Sequence, residues 1–452
     1  MNRSVQVKHA TALLVLSLVA LPASAGMLIS EALSRAVEAD PQFAAAAATQ
    51  RANRELGEQE RAALRPSVAL RANADYAYTD ADFAFGASDE DYAAWSAVLE
   101  VRQPLLRLDW GARLDRAEAR DALAEVEYRA AEIDFIARVS ERYLNALLAE
   151  DQLRQTEAEA RAIRESLDDT QKRYDVELVP GTDLKEAQAR DDLIQAQLIA
   201  ARGQVEETRD ALEEITGYAR GPLPRLRETL DLPPLTDSDV DTWYRTAQDS
   251  NVDLLRARLQ TELARTNRQS RKAEALPSLD VVASAGRNDS QDYTLGQLQD
   301  EARIGVELTV PLYAGGINHS RVREAEARID EADLALTRAQ REVRSAIRKA
   351  YRDVVSALTA DKAYSQVLAS AEAAERAVQA GYDAGTRTIA DVLDAQSRVV
   401  QAQRDRNEVR YDLLIKALIL QATAGTLSVD MVAAMDRLFE QPDAAEPPAA
   451  AP

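Results

Sequence analysis

Cysteine is absent from the 452-residue chain, which excludes disulfides and thiolate metal sites. Histidine occurs only as His9 and His319. No Ser-His-Asp set can be assembled from them, and no glycine-rich phosphate cradle is present. The chain therefore reads as a non-enzyme with no cofactor and no metal. Glycine and proline are sparse, at 16 and 15 residues, whereas charged residues make up 29%; that balance fits long helices. Positive charge is in deficit, since 55 Lys and Arg against 76 Asp and Glu leave a net charge of −21. With no basic footprint to neutralise phosphates, nucleic acid is excluded as a partner. The acidic excess suits either a well-solvated surface or a negatively lined passage. Beyond the N-terminal segment no stretch approaches the roughly 18 consecutive apolar residues of a membrane-crossing helix.

Residues 1–25 read as a secretory signal peptide. Arg3 and Lys8 form a short basic stretch, Ala10 to Leu21 an apolar run, and Ala23-Ser24-Ala25 a small-residue cleavage site. The apolar run is too short to span a bilayer. No cysteine follows the cleavage site to carry a lipid.

What is present is a duplication. Tyr174-Asp175, Asp183, Glu186-Ala187-Gln188, Arg190 and Gln195 are answered, 208 positions on and without a gap, by Tyr382-Asp383, Asp391, Asp394-Ala395-Gln396, Arg398 and Gln403. Glu118-Ala119-Arg120 recurs as Glu326-Ala327-Arg328, Tyr143 as Tyr351, and Pro66-Ser67-Val68 as Pro277-Ser278-Leu279 with a small change of offset. The period far exceeds the 20–50 residues of solenoid repeats, so one large unit has been duplicated in tandem. The first unit covers 26–220: a helix over 28–64, a β-hairpin over 66–103, a long helix over 111–178 and a helix over 183–217. A Pro- and Leu-rich linker, 221–235, leads to the second unit, 236–427. That unit repeats the order with a helix, a hairpin over 277–311, a long helix over 316–382 and a helix over 388–423. Residues 428–452 form a C-terminal segment whose Pro/Ala/acid tail beyond Gln441 is expected to be disordered.

Both hairpins alternate with period two. Val68, Leu70, Ala72, Ala74, Tyr76 and Tyr78 share one face, and Arg71, Asn73 and Asp75 the other. Trp95, Ala97, Leu99 and Val101 oppose Ser96, Glu100 and Arg102. Leu279, Val281, Ala283 and Ala285 oppose Asp280 and Ser284, while Ile304, Val306, Leu308 and Val310 oppose Arg303, Glu307 and Thr309. An ordinary hairpin with one wet face shows such a pattern, and so does an outer-membrane strand with apolar residues toward lipid. Two such hairpins in a secreted, cysteine-free chain favour the membrane, and the tyrosines and Trp95 at strand ends suit an interfacial girdle. Residues 79–93 and 288–300 read as polar loops facing outside. Four strands cannot close a barrel, and an open edge is not tolerated in lipid. Several chains must then share one barrel: two copies supply eight strands, a solid barrel, and three supply twelve, room for a passage.

Each long helix, at 1.5 Å per residue, extends to about 100 Å. The second carries a heptad seam, with Val322, Ile329, Leu336 and Val343 in one row and Ala325, Ala332, Ala339 and Ala346 in the other. The phase then slips to Ile347, Tyr351 and Val354, as at a local change of supercoil. The shorter helix after each long one implies antiparallel helix pairs. They close at Thr216-Gly217 and Ala424-Gly425, as glycine C-caps do.

The run Ala380-Gly381-Tyr382-Asp383-Ala384-Gly385-Thr386-Arg387-Thr388-Ile389-Ala390-Asp391-Val392-Leu393-Asp394-Ala395 closely resembles the second-repeat periplasmic turn of TolC-type outer-membrane channels. So do Pro311-Leu312-Tyr313-Ala314-Gly315-Gly316 and Ala424-Gly425-Thr426-Leu427, and the similarity extends over the mature chain. The resemblance implies an α+β membrane protein: a homotrimer with a twelve-stranded transmembrane β-barrel, four strands per chain, continued by a long antiparallel α-helical coiled-coil barrel. It implies an outer-membrane exit duct of tripartite efflux or type I secretion systems. Its partners would be a periplasmic adaptor and an inner-membrane pump of the RND, ABC or MFS type. It also carries over a gate. Tyr382 and Arg387 match residues that hold the periplasmic end shut, and Thr182 and Asp183 resemble their first-repeat partners. Asp391 and Asp394 match an acidic constriction to which Glu186 would add, giving stacked carboxylate rings around a threefold axis. Thr388 with Asp391 is equally the pattern of a capping box. Glu177 departs from the family, standing where its first-repeat turn commonly has glycine, and Val179-Pro180-Gly181 also differs.

Two other functions fit parts of the pattern. A dedicated metal-efflux duct would be expected to carry more Cys, Met and His. A trimeric structural or adhesive coiled-coil protein would not need antiparallel helix pairs in a duplicated unit.

Overall fold

In a computed structural model, residues 27–83, 86–218, 221–229, 239–290 and 297–440 are described. The expected signal peptide, linker residues 230–235 and the tail beyond Glu440 lie outside them. Helices α1 (Ile29–Ala39) and α2 (Pro41–Ala62) precede strands β1 (Ser67–Phe83) and β2 (Gly86–Leu106), and then helices α3 (Trp110–Asp175) and α4 (Gly181–Thr216). A short strand, β3 (Arg225–Leu226), separates this unit from the second. The second unit repeats the order as α5 (Val240–Ser250), α6 (Val252–Ala273), β4 (Ser278–Ser290), β5 (Gln297–Thr309), α7 (Ile317–Asp383) and α8 (Ile389–Ala424). Helix α9 (Val429–Ala433), a 3-10 turn (Ala434–Leu438) and strand β6 (Phe439–Glu440) end the described chain.

The single helix expected over 28–64 is two helices. Pro41 has no N–H to donate and disfavours helical backbone in the residue before it. Asp40 is accordingly extended (φ −75°, ψ 110°), and its side chain caps α2 by accepting from Gln42 N. The same carboxylate is buried against Arg138 at 2.8 Å.

The four longer strands form one antiparallel sheet in the order β1-β2-β4-β5. Paired residues bring like faces together: Val68 opposite Val101, Leu70 opposite Leu99, and Val281 opposite Val306. The apolar face is open, with Leu70 70% and Ile304 81% exposed. The other face is laced by ion pairs, Arg71–Glu100 at 2.6 Å and Arg102 to Asp280 and Glu307 at 3.2 and 3.3 Å. Among the described residues, β1 and β5 each pair on one side only. The loops expected at 79–93 and 288–300 are shorter than anticipated, because β1 and β2 run on to Phe83 and from Gly86, and β4 and β5 to Ser290 and from Gln297. Backbone pairing continues past the point where apolar alternation stops, so hydropathy marks only the part of a ladder facing apolar surroundings.

The core lies halfway along α3. Phe135, Ile136, Val139, Tyr143, Leu144 and Leu147 pack there against Ile29 and Leu33 of α1, Leu212 of α4, Tyr411 and Leu414 of α8, and Leu438 and Phe439 of the C-terminal segment. Tyr143 donates to Met27 O at 2.8 Å, and β6 pairs with β3. The segment around Met27, the crossover between repeats and the C-terminal segment thus form one belt. Burial pushes the Tyr143 hydroxyl pKa well above the ordinary phenol range. On α7 the seam moves from Ala325 and Val343 to Ile347, Ala350, Val354 and Ala357, all buried, and Ala346 is exposed. The phase slip read in the heptads is the place where α7 turns a new face inward.

Candidate functional site

The residues assigned to gate and constriction gather where each long helix turns back into its return helix. Both turns are Schellman closures. At the end of α3, Glu177 N donates to Tyr174 O and Leu178 N to Arg173 O, both at 2.9 Å. At the end of α7, 208 positions on, Gly385 N donates to Tyr382 O at 2.9 Å and Thr386 N to Gly381 O at 2.8 Å. The closure needs a left-handed residue. Gly385 supplies it with φ 72°, whereas the first tip uses Glu177 at φ 61°, alone among the described non-glycine residues in that region.

The return helices start differently. α8 opens on a capping box: Asp391 N donates to Thr388 Oγ1, and Thr388 N donates back to Asp391 Oδ2 at 2.9 Å. The Thr388 N–H, then its hydroxyl, and finally Arg387 hold the Asp391 carboxyl below the usual range. Arg387 stands 3.9 Å from Asp391. α4 opens at Pro180 without a side-chain cap, and Thr182 donates to Asp183 Oδ1 at 3.3 Å. Asp183 lies in the first turn of α4, where the helix dipole favours an acid.

Bonds between the two helical hairpins, α3–α4 and α7–α8, come from arginines to which the sequence assigns no role. Arg173 donates to the Tyr382 hydroxyl at 2.8 Å, and its guanidinium lies 5.6 Å from the ring centroid. Arg190 pairs with Asp394 and donates to Ser397 Oγ at 3.3 Å. Farther up, Arg404 of α8 reaches Glu159 of α3 at 2.7 Å. Within one chain, then, Tyr382 is held by Arg173, Arg387 stays on its own turn beside Asp391, Thr182 and Asp183 bond to each other, and Glu186 is exposed. Arg173 could have been noticed as the cation directly preceding the repeated Tyr174, and Arg190 as a member of the repeat itself.

Apolar support thins toward the tips. The buried cluster there consists of Ala160, Ile163 and Ile194, against the extensive core at the belt. Few buried contacts and exposed ion pairs mark the low-stability end of a structure. α8 spans both regimes. Its upper half carries buried Tyr411, Leu413, Leu414 and Leu420, with the Tyr411 hydroxyl on Asp151 and Arg410 on the Arg227 carbonyl. Burial raises the Tyr411 pKa and lowers that of Arg410. α8 is thus packed most heavily in its upper half, while its lower half buries Val392, Leu393, Ala395 and Ala402 and is joined to the first unit by Arg190–Asp394 and Arg404–Glu159. Among the described residues no cluster of His, Cys, Asp or Glu could hold a metal ion, and no helix is long and apolar enough to cross a membrane.

Comparison with known proteins agrees with this architecture. The outer membrane efflux protein family profile matches residues 32–218 and 243–426, thus both units. The outer membrane protein TolC of Vibrio cholerae is 33% identical over 404 residues, 88% of this chain and 91% of that protein. The alkaline protease secretion protein AprF of Pseudomonas aeruginosa is 30% identical over 412 residues, 88% of this chain and 85% of that protein. The crystal structure of the outer membrane protein VceC from Vibrio cholerae shares the fold, with a TM-score of 0.74 at 19% identity, covering 88% of this chain and 96% of that one. The chain belongs to the outer membrane efflux protein family.

Proposed function

We propose that three copies of this chain form a passive exit duct, gated at its periplasmic end. The protein is an outer-membrane channel of a Gram-negative bacterium, serving efflux or secretion, and not an enzyme. The observation that carries the trimeric reading is the sheet. Its apolar face is open, and among the described residues β1 and β5 are paired on one side only. In a bilayer both edges need partners, so neighbouring copies must supply them. Three copies bring about twelve strands, enough for a water-filled bore, whereas two make a barrel filled by its own side chains. Below the barrel, the helix pairs α3–α4 and α7–α8 continue the wall as a coiled-coil tunnel. An adaptor and an inner-membrane pump dock to its far end, and the pump selects the cargo.

In this reading the gate is the pair of helix tips. Tyr382 and Arg387, with Thr182 and Asp183, hold neighbouring tips together, and Asp391, Asp394 and Glu186 line the constriction. Docking of a partner breaks these bonds, and α8 swings about its clamped upper half. The experiment is single-channel recording in planar bilayers. Tyr382→Phe removes the acceptor for Arg173, a charge-assisted bond contributing on the order of 1 kcal/mol at this exposure. Combined with Arg387→Ser it is expected to raise conductance severalfold. Unchanged conductance would remove these residues from the gate, and purified monomers that conduct nothing would sink the duct.

A further inference from the structure

The duplication allows one contact within the chain to predict another between chains. Arg190 of α4 and Asp394 of α8 join the first hairpin to the second. Moving each by the 208-residue period puts Arg398 in place of Arg190, and Glu186 in place of Asp394, so both charges keep their sign. α4 and α8 are each 36 residues long and start at the same point of the period. Glu186 and Arg398 are both exposed and make no hydrogen bond or ion pair among the described residues. The other polar bonds between the hairpins do not survive the same shift. Arg173 maps onto Gly381, Glu159 onto Val367 and Arg404 onto Ala196.

We propose that Arg398 of one copy pairs with Glu186 of the next copy, an inference that rests on the trimeric duct. Three chains place six similar hairpins around one axis. The step from first to second hairpin within a chain then resembles the step from second hairpin to the first hairpin of the neighbour. The intrachain contact runs from α3 and α4 to α8, so its counterpart runs from α7 and α8 to the neighbour's α4. The Arg190–Asp394 pair recurs there as Arg398–Glu186. The periplasmic end is closed by a ring of six ion pairs, alternately within and between chains. The carboxylates of Asp394 and Glu186 are each matched by an arginine while the tips are together and bared when they part. Glu186 and Arg398 are positioning residues of the closed state, and the occupant of the exposed α8 face is a second copy of this chain.

The absence of cysteine makes a direct test available. Glu186→Cys with Arg398→Cys, treated with a short thiol–thiol crosslinker, is expected to yield covalent dimers and trimers on a denaturing gel. Arg190→Cys with Asp394→Cys is expected to stay at monomer size, because that link is internal. A second measurement guards against local distortion. Glu186→Arg alone sets two cations face to face and is expected to raise single-channel conductance severalfold; adding Arg398→Glu reverses the pair and returns conductance toward the unmodified value. Native mass is measured on every variant. Trimers that give no intersubunit crosslink, single-cysteine variants that crosslink as strongly as the double, or a double reversal no nearer to the unmodified channel than the single, would overturn the pairing and leave the duct intact. Loss of trimers in the unmodified chain would sink both.

Discussion

The two helix tips contain a built-in mirror experiment on backbone strain. Glu177 and Gly385 occupy equivalent left-handed positions, at φ 61° and 72°, in closures made of equivalent hydrogen bonds. An L-residue in that region costs about 1–2 kcal/mol because its Cβ crowds the following carbonyl. Glycine avoids this cost but loses about 0.5–1 kcal/mol more in conformational entropy on ordering. The difference predicts that Glu177→Gly stabilises the first tip by about 0.5–1 kcal/mol. Gly385→Ala should destabilise the second by a similar amount, with no steric contribution, since nothing lies within 4 Å of a Cβ placed there. Hydrogen exchange read by mass spectrometry on tip peptides measures this directly through the amides of Leu178 and Thr386. Since 1.4 kcal/mol is tenfold, exchange should slow about two- to fivefold in the first variant and quicken about two- to fivefold in the second. Faster exchange in Glu177→Gly, or no change in Gly385→Ala, would refute the torsional account. The strained Glu177 would then have to be held by contacts that outweigh it.

Three further expectations can be measured independently. Gly425→Ala combines a left-handed φ of 77° with a Cβ that would stand 2.2 Å from Ser250 O; overpacking and torsion together should cost about 2–5 kcal/mol, seen as a lower thermal midpoint of the detergent-solubilised protein, and an unchanged midpoint would contradict the packing at the end of α8. Asp391→Ala with Asp394→Ala should weaken block by divalent cations severalfold in bilayer recordings, and equal block would remove these acids from the constriction. The folded Asp391 carboxyl is held below its ordinary value, so the capping box contributes stability that is fully present above the unfolded pKa, near 3.9, and is lost as pH falls through the lower folded value. Exchange at the first turn of α8 should therefore be insensitive to this group at neutral pH, and loss of protection that sets in near neutrality as pH falls would contradict this window.

Much of the architecture could be read before any coordinates because it is written in regularities of the sequence. The dyad alternation around Val68 and Ile304, the heptads of α7 and the shift from Tyr174 to Tyr382 are regularities along the chain, and each translates into a face or a repeated unit without knowledge of what packs on it. Pro41 is passed over: the helical composition of 28–64 reads as one helix, although a proline there breaks it. The extra length of the strands was not legible, because a backbone ladder continues where side-chain polarity no longer reports it. The capping box at Thr388 was legible from spacing, but whether Asp391 also lines a bore depends on the neighbours of α8.

The sequence by itself determined the duplicated unit, the strand faces, the helix lengths and the positions of the two tips, because local periodicity and turn chemistry act over a few residues. Only the tertiary structure decided that Arg173 holds Tyr382, that Arg190 holds Asp394, and that α1 and the segment ending at Glu440 meet the crossover in a belt around Tyr143. With 55 basic and 76 acidic side chains, charge type alone allows far too many pairings. Which ones form is set by the meeting of helices hundreds of residues apart, and that is fixed by the burial of the core on α3.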